Sequence, residues 1–448
     1  MANSPTLNHL LRALLDEAGW SGAELARQVN AVAAETGLTP AYDRKTVSFW
    51  LAGRRPRPPA PAIVAEAFSR VLAREVQVAD TGLIRGSRAD DQPGPHDAVA
   101  ALDELLRLQR RGAAMSGAYS LALLDVPSWT QAEGVPPAPD LPPAAVSAPH
   151  VESLEQMARL FTDTDDAFGG GYARATAAAY LAHDVAPLLR APAPPSLRVQ
   201  LFRAATKVIY RCAFMCYDDE QHALAQRYYR FALHTAKESA DPVGYAVTLR
   251  AMSVQARSLG HYRNARDLAE AAAGQRTASS TQDAFLLGQL AVAEAASANR
   301  TAAISALSAT ERRLSQLTSG GGRKPHLPAH AAEVMGDYDA AAFAYQEATV
   351  RALLRDHMGA ITALQVSLRE RPSGERRSRA VVTARLAELQ LRTGQLERAA
   401  HTWHAFLDEY PHLSSGRITA ALRSMKAQLR PFSGNVRVQH LIARSAAL

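Results

Sequence analysis

The sequence predicts an all-α protein built from a small helical domain at the N-terminus and a long body of repeated helical hairpins. Three observations carry this prediction. Ser21 and Glu24 have the spacing of a helix capping box, and apolar residues recur at helical intervals around them. From about residue 150 the chain is almost wholly helical in its apolar periodicity. Within that part, glycine-led segments of similar pattern recur.

The first domain is predicted to span residues 1–84. Its first helix ends at Gly19, and leucines at helical spacing give it one apolar face: Leu7, Leu10, Leu11, Leu14 and Leu15. A second helix follows the cap at Ser21. A third helix begins at Asp43, stops at Gly53 and is predicted to bury Val47, Trp50 and Leu51. After the prolines at 56–61, an apolar pattern that begins at Ile63 predicts a fourth helix.

Positive charge is concentrated at the third helix and just after it. Residues 44–57 contain five basic side chains and no acidic one: Arg44, Lys45, Arg54, Arg55 and Arg57. Such a cluster beside an apolar helix face is typical of a surface that binds a polyanion. Taken alone, the RRPRP run is equally compatible with a solvated loop. Phe49 is open between a buried and an exposed position.

This stretch resembles the helix-turn-helix of the Cro and phage-repressor type (XRE) superfamily. The resemblance implies that the helix from Asp43 enters the major groove of DNA. Bases would be contacted from its first turns, with Phe49 against a thymine methyl, while the later arginines would hold phosphates. The expected DNA-binding residues are Arg44, Lys45, Thr46, Ser48, Phe49, Arg54, Arg55 and Arg57. The connection at 35–42 is longer than the short turn of the superfamily, so the docking angle stays open.

The next segment, 85–149, is predicted to be a linker. It contains a helix at 98–111 and a proline-rich stretch at 135–149 that is expected to be semi-rigid and to separate the first domain from the body. The body is predicted at 150–430, followed by a C-terminal tail at 431–448.

Three segments of the body share a glycine, a bulky residue two positions later and an alanine three positions after that: 260–272, 336–348 and 394–406. The alanines are Ala265, Ala341 and Ala399, and they are expected to let two helices approach closely. The bulky residues are Tyr262, Tyr338 and Leu396, and they are expected to fill the groove to the next hairpin. The pattern resembles the second helix of the tetratricopeptide repeat, with weaker copies at 223–236 and 299–314. A non-repetitive helical bundle is the alternative.

Longer stretches resemble the large actinobacterial regulators that join an XRE-type helix-turn-helix to a tetratricopeptide-like body. The stretches are TVSFWLAGRRPRPPAPAIVAEAFSR, which begins at Thr46 and contains the last three residues of the basic cluster, and the segments 168–190, 217–236 and 252–272. The resemblance implies transcriptional control. The partners expected are double-stranded DNA, a second copy of the chain in a homodimer, and a peptide or small-molecule effector on the body. A helical-repeat interaction scaffold that does not bind DNA is the rival.

Composition and motifs bound the remaining possibilities. Two cysteines in 448 residues and the absence of a signal peptide or long apolar span lead us to expect a cytoplasmic protein without membrane partners. A net charge of +7 favours anionic partners. No catalytic, nucleotide-binding or metal motif is found, so neither an enzyme nor a cofactor is expected. Residues 163–170 lack the oxygen ligands of a calcium loop, Gly169 to Gly171 are interpreted as a flexible helix boundary, and Cys212 and Cys216 are interpreted as buried small residues.

Overall fold

The computed structural model describes residues 7–35, 38–84, 102, 104–106, 118–124, 126, 146–275, 280–319 and 338–448. Within these residues the protein is all-α, with nineteen α-helices and no strand. The predicted fold class is therefore confirmed.

Four helices form the N-terminal domain: α1 (His9–Ala18), α2 (Gly22–Ala34), α3 (Arg44–Leu51) and α4 (Ala60–Leu72). The helix ends follow the sequence signals, since Gly19 and Gly53 adopt positive φ angles of 64° and 89°. Leu11, Leu14 and Leu15 enter the core, whereas Leu7 and Leu10 are 60% and 54% exposed. The predicted apolar stripe of α1 is thus too wide, because α1 starts only at His9 and packs along one narrow face.

The body contains the other fifteen helices. They are α5 (Ala148–Phe168), α6 (Gly170–Tyr180), α7 (Ala186–Arg190), α8 (Pro195–Asp218), α9 (His222–Glu238), α10 (Pro242–Ser258), α11 (Tyr262–Ala273), α12 (Ser280–Ala296), α13 (Arg300–Ser319), α14 (Ala340–Leu353), α15 (His357–Glu370), α16 (Arg376–Arg392), α17 (Leu396–Glu409), α18 (Gly416–Leu429) and α19 (Val436–Ala446). Residues 431–448, predicted to be a C-terminal tail, instead contain α19, which packs on α17 and buries Val438 and Leu441, so the packed body extends through residue 446.

From α8 onward the helices pair in order, α8 with α9 through α16 with α17, and α18 with α19 ends the series. First helices of successive pairs also touch, as α10 does with both α8 and α12. This arrangement is that of a helical solenoid. The alanines of the glycine-led segments lie in the packed interior of the solenoid. Ala265, Ala341 and Ala399 are fully buried.

Two expectations about the repeats are wrong. Tyr262 does not fill a groove, since its side chain is 48% exposed, although Tyr338 is buried as predicted. The segment 336–348 leads into α14, which is the first helix of the α14–α15 pair and not a second helix. A small residue at a close contact is needed on either helix of a hairpin, so the pattern does not distinguish them.

The solenoid closes on itself through a joint between α5–α6 and the start of α18. Ser414 donates its backbone N–H to the carbonyl of Phe168 at 2.7 Å, and Gly171 donates to the carbonyl of Ser414 at 2.9 Å. A β-carbon at Gly170 would lie 2.5 Å from the carbonyl oxygen of Met215. The glycines at 169–171, expected to form a flexible boundary, are instead required by close backbone contact.

The described part of the predicted linker packs between the two domains. Leu102, Leu105 and Leu106 are buried in the core of the body, Glu104 is exposed, and the other residues of the helix predicted at 98–111 lie outside the described residues. Ala118 belongs to the core of the N-terminal domain, whereas the next residue, Tyr119, belongs to that of the body. These described residues therefore contact both domains. The proline-rich stretch lies outside the described residues up to 145, and α5 begins at Ala148.

Candidate nucleic-acid interface

The start of α3 is held by a side-chain cap. Asp43 Oδ1 accepts hydrogen bonds from the backbone N–H of Thr46 at 2.8 Å and from its hydroxyl at 2.7 Å. The same bonds hold the pKa of Asp43 below its ordinary value, so its carboxylate stays charged at neutral pH. The cap predicted at Asp43 is confirmed, and the hydroxyl of Thr46 donates its hydrogen bond to this cap.

One side of α3 is anchored in the domain core. Val47 and Trp50 are 0% and 3% exposed, and Leu51 is half-buried beside them. Trp50 meets Tyr42 edge to face, with ring centroids 5.2 Å apart. A β-carbon at Gly22 would lie 3.4 Å from Cγ1 of Val47, so the beginning of α2 sits directly on α3.

Asn30 of α2 fixes the connection that precedes α3. Its Oδ1 accepts the backbone N–H of Tyr42 at 3.0 Å, and its Nδ2 donates to the carbonyl of Tyr42 at 2.8 Å. The long connection therefore ends in a defined position, one residue before the cap of α3. This pair of hydrogen bonds ties the start of α3 to α2, and the core packing of Val47 and Trp50 holds the rest of the helix.

The opposite side of α3 faces outward. Arg44, Lys45, Ser48 and Phe49 are all exposed, Phe49 by 42%. The guanidinium of Arg54 lies 5.0 Å from the centre of the Phe49 ring, within the range of a cation–π contact. The ring of Phe49 and the guanidinium of Arg54 are therefore exposed together at the C-terminal end of α3. The residue left open by the sequence, Phe49, is on the surface.

None of the five basic residues of this surface forms an ion pair within the described residues: Arg44, Lys45, Arg54, Arg55 and Arg57. Other arginines of the same domain do form ion pairs. Arg70 binds both oxygens of Glu35 at 2.7 Å, and Arg74 binds Glu17 at 2.6 Å. The outward face of α3 and the segment after it therefore form a positive surface without ion pairs within the described residues, which we call the α3 surface.

Residues 11–84 match the family model of the SP15 N-terminal domain. This match covers α1 from Leu11 onward, the whole of α2, α3 and α4, and the α3 surface. No curated protein matches the chain. Across the described part of the chain, no helix combines the length and apolar character that a membrane span requires.

The structure places the remaining sequence candidates elsewhere. Cys212 and Cys216 are fully buried on α8, and burial raises the pKa of the Cys216 thiol well above its ordinary value. Asp165, within the supposed calcium loop, is buried in α5 and pairs with Arg211 at 3.3 Å and Arg377 at 3.2 Å. A large cavity inside the solenoid was not predicted. A sequence signal for it lies in α10, where Arg250 and Arg257 are the only charged residues of the helix.

Proposed function

We propose that this protein is a DNA-binding transcriptional regulator of the helix-turn-helix type, with the helical body serving dimerisation and the binding of a signal. The observation that carries the proposal is the α3 surface. It combines an anchored helix, exposed groups able to contact bases, and five cations without carboxylate partners. An unpaired cationic cluster on a rigid helix is the arrangement that attracts phosphates and reads a groove.

Within this proposal the residues divide into two roles. Arg44, Lys45, Ser48 and Phe49, on the exposed face of α3, contact base edges, and a guanidinium there has the geometry to bridge the O6 and N7 atoms of guanine. Three arginines beyond the helix hold phosphates and set the register: Arg54, Arg55 and Arg57. Thr46 supports α3 through its bond to Asp43.

A homodimer is part of the proposal because α3 has only eight residues. One short helix contacts few base pairs, whereas two copies related by a two-fold axis read two half-sites. The test is a mobility-shift titration of the full-length protein on fragments of its source genome, repeated over a salt series.

Replacing both Arg44 and Lys45 with Ala should weaken binding to the retained fragment by at least tenfold, because each base contact contributes about 1–3 kcal/mol. The matched control is Arg74→Ala, which removes a positive charge from the same domain but from an existing ion pair with Glu17. The control should bind as the parent does. If the double variant also binds as the parent does, or if the parent retains no duplex at low salt, the proposal is wrong and the interaction scaffold becomes the better account.

A further inference from the structure

The interior of the solenoid contains a cavity of about 840 Å³. It is lined largely by first helices of the hairpins, which contribute Tyr210 from α8, Arg250 and Arg257 from α10, Phe285 from α12, and Tyr338 with Gln346 at α14. Its volume lies within the range of about 300–1,000 Å³ that is usual for sites of small molecules. The wall contains aromatic side chains and carries more arginines than carboxylates, the latter being Asp163, Asp166 and Glu375.

Some of the cations at this cavity are already neutralised. Arg417 pairs with Asp218, with its Nε 3.0 Å from the carboxylate, and Arg377 pairs with Asp165 and Asp166. These pairs link the two ends of the solenoid and are structural. Arg371 is also neutralised, by Glu375 four residues later in the chain.

Arg250 and Arg257 differ, because neither has a carboxylate partner within the described residues. The guanidinium of Arg250 lies 4.0 Å from the centre of the Phe285 ring, and the Nε atoms of both arginines are buried without a hydrogen-bond acceptor. Burial also lowers the pKa of Arg250. Both side chains are only partly buried, but their Nε donors lack a partner, and an anion in the cavity would satisfy these donors and balance the charge.

The buried polar atoms of this wall that lack a hydrogen-bond partner are donors. Besides the two arginine Nε atoms, the amide Nε2 of Gln346 is buried without a partner, while its carbonyl accepts from the hydroxyl of Tyr338 at 2.5 Å. A ligand that satisfies these donors must therefore supply hydrogen-bond acceptors. The rings of Phe285 and Tyr338, which meet edge to face at 5.2 Å, are almost fully buried and support Arg250 from below. The side chain of Val254, which lies between the two arginines along α10, is only partly buried and adds apolar surface beside those donors.

We propose that the cavity binds a small aromatic anion, a carboxylate or a phosphate ester, with its charged group on Arg250 and a further acceptor toward Arg257. The aromatic part packs against Val254, which lines the cavity about one helical turn from each arginine. Binding of this kind is independent of the DNA-binding proposal, because the cavity lies in the body and the α3 surface lies in the N-terminal domain.

The test uses the full-length protein and the fluorescent aromatic sulfonate 8-anilinonaphthalene-1-sulfonate as the probe. Phenyl phosphate, benzoate and the neutral benzyl alcohol compete in separate titrations. We expect one high-affinity probe site per chain and displacement by at least one of the two anions, the stronger competitor identifying the preferred head group. Benzyl alcohol should not displace the probe at the same concentrations.

Arg250→Gln and Arg257→Gln should each weaken probe binding by tenfold or more. Arg250→Lys, which keeps the charge, should retain much of the affinity. The matched control is Arg263→Gln, an exposed arginine on the neighbouring helix α11, and it should have no effect. Thermal unfolding reports whether each variant is folded, and if Arg250→Gln is not, Arg257→Gln decides. Unchanged binding in the folded Gln variants, or displacement by benzyl alcohol as effective as by the anions, would overturn the inference.

Discussion

At the scale of single residues, the direction in which a side chain points decides its role, and local spacing fixes that direction only in part. Val47 and Trp50 are buried as the periodicity of α3 predicts. Phe49 lies one position before Trp50 and faces outward, where the guanidinium of Arg54 covers its ring. Tyr262 is exposed although Tyr338, its counterpart in the repeat pattern, is buried. Each of these outcomes depends on what the neighbouring helix presents, which the sequence pattern does not encode.

Asn30 is the residue whose importance the sequence did not indicate. An asparagine on an amphipathic helix is unremarkable until the chain returns twelve residues later and Tyr42 takes both of its polar atoms. Because these bonds place the start of α3, the geometry of the candidate site depends on a residue outside the basic cluster.

Asn30→Ala should therefore destabilise the N-terminal domain by about 1–3 kcal/mol, since it leaves the backbone polar groups of Tyr42 without their partners. It should also weaken DNA binding, although Asn30 is not one of the expected contacts. The measurement is urea unfolding of the full chain together with a mobility-shift titration. Gln28→Ala, which removes only a bond to Glu24 on the same helix, is the control and should change stability by less than about 0.5 kcal/mol. Equal effects of the two substitutions would contradict the role given to Asn30.

At the scale of secondary-structure elements, helix positions were predictable and helix pairing was not. The weak copies at 223–236 and 299–314 do fall on second helices, α9 and α13, because each follows a first helix after a short turn. The segment at 336–348 carries the same small-residue pattern but leads into a first helix. Pairing is decided by which neighbour covers each apolar face, and that information is not local.

The closure of the solenoid is the clearest case of a contact between helices that the sequence pattern does not indicate. Arg377 of α16 donates from Nε to the carbonyl of Asp165 at 3.2 Å and from a terminal nitrogen to Asp166 at 2.6 Å, across 212 and 211 residues of chain. Asp165 is fully buried, and Arg211 and Arg377 supply its counter-charges. No sequence pattern of short range relates residues so distant.

Arg377→Met should destabilise the body by about 3–5 kcal/mol, because the carboxylate of Asp165 loses a partner while it stays buried. The adjacent Arg376, which pairs with Glu409 at 2.9 Å and is one-third exposed, provides the matched control. Arg376→Met should cost less than about 1 kcal/mol. Chemical denaturation followed by circular dichroism measures both. A loss for Arg377→Met no larger than that of the control would show that the joint does not depend on this ion pair.

At the scale of the whole molecule, the N-terminal domain is docked on the body through α4, on a different helix from the α3 surface. Glu66 of α4 is buried and lies 3.0 Å from Nε2 of His261, which in turn stacks on Tyr119 at a centroid distance of 5.3 Å. Arg70 binds Glu66 at 2.8 Å and ties the contact to α2 through Glu35. A change in the body therefore has a direct structural route to the domain that carries the α3 surface.

His222, at the start of α9, makes the stability of the whole chain depend on pH. Burial lowers its pKa to about 4 from an ordinary value of 6.5. Glu35 of the N-terminal domain opposes that shift, whereas Arg70 and Arg417 reinforce it. Its Nδ1 is buried without a hydrogen-bond partner, so the folded state accommodates the neutral ring.

Because the folded pKa is depressed, the unfolded chain takes up a proton on His222 first as the pH falls. The contribution of the neutral ring is intact above pH 6.5 and is lost between pH 6.5 and about 4, for a total on the order of 3 kcal/mol. Urea unfolding at pH 7 and at pH 4.5 should show a smaller difference in His222→Gln than in the parent. His234, whose pKa burial also lowers to about 4, is present in both proteins and cancels in the comparison. An identical loss of stability in the two proteins would show that His222 takes up its proton as readily in the folded chain as in the unfolded one.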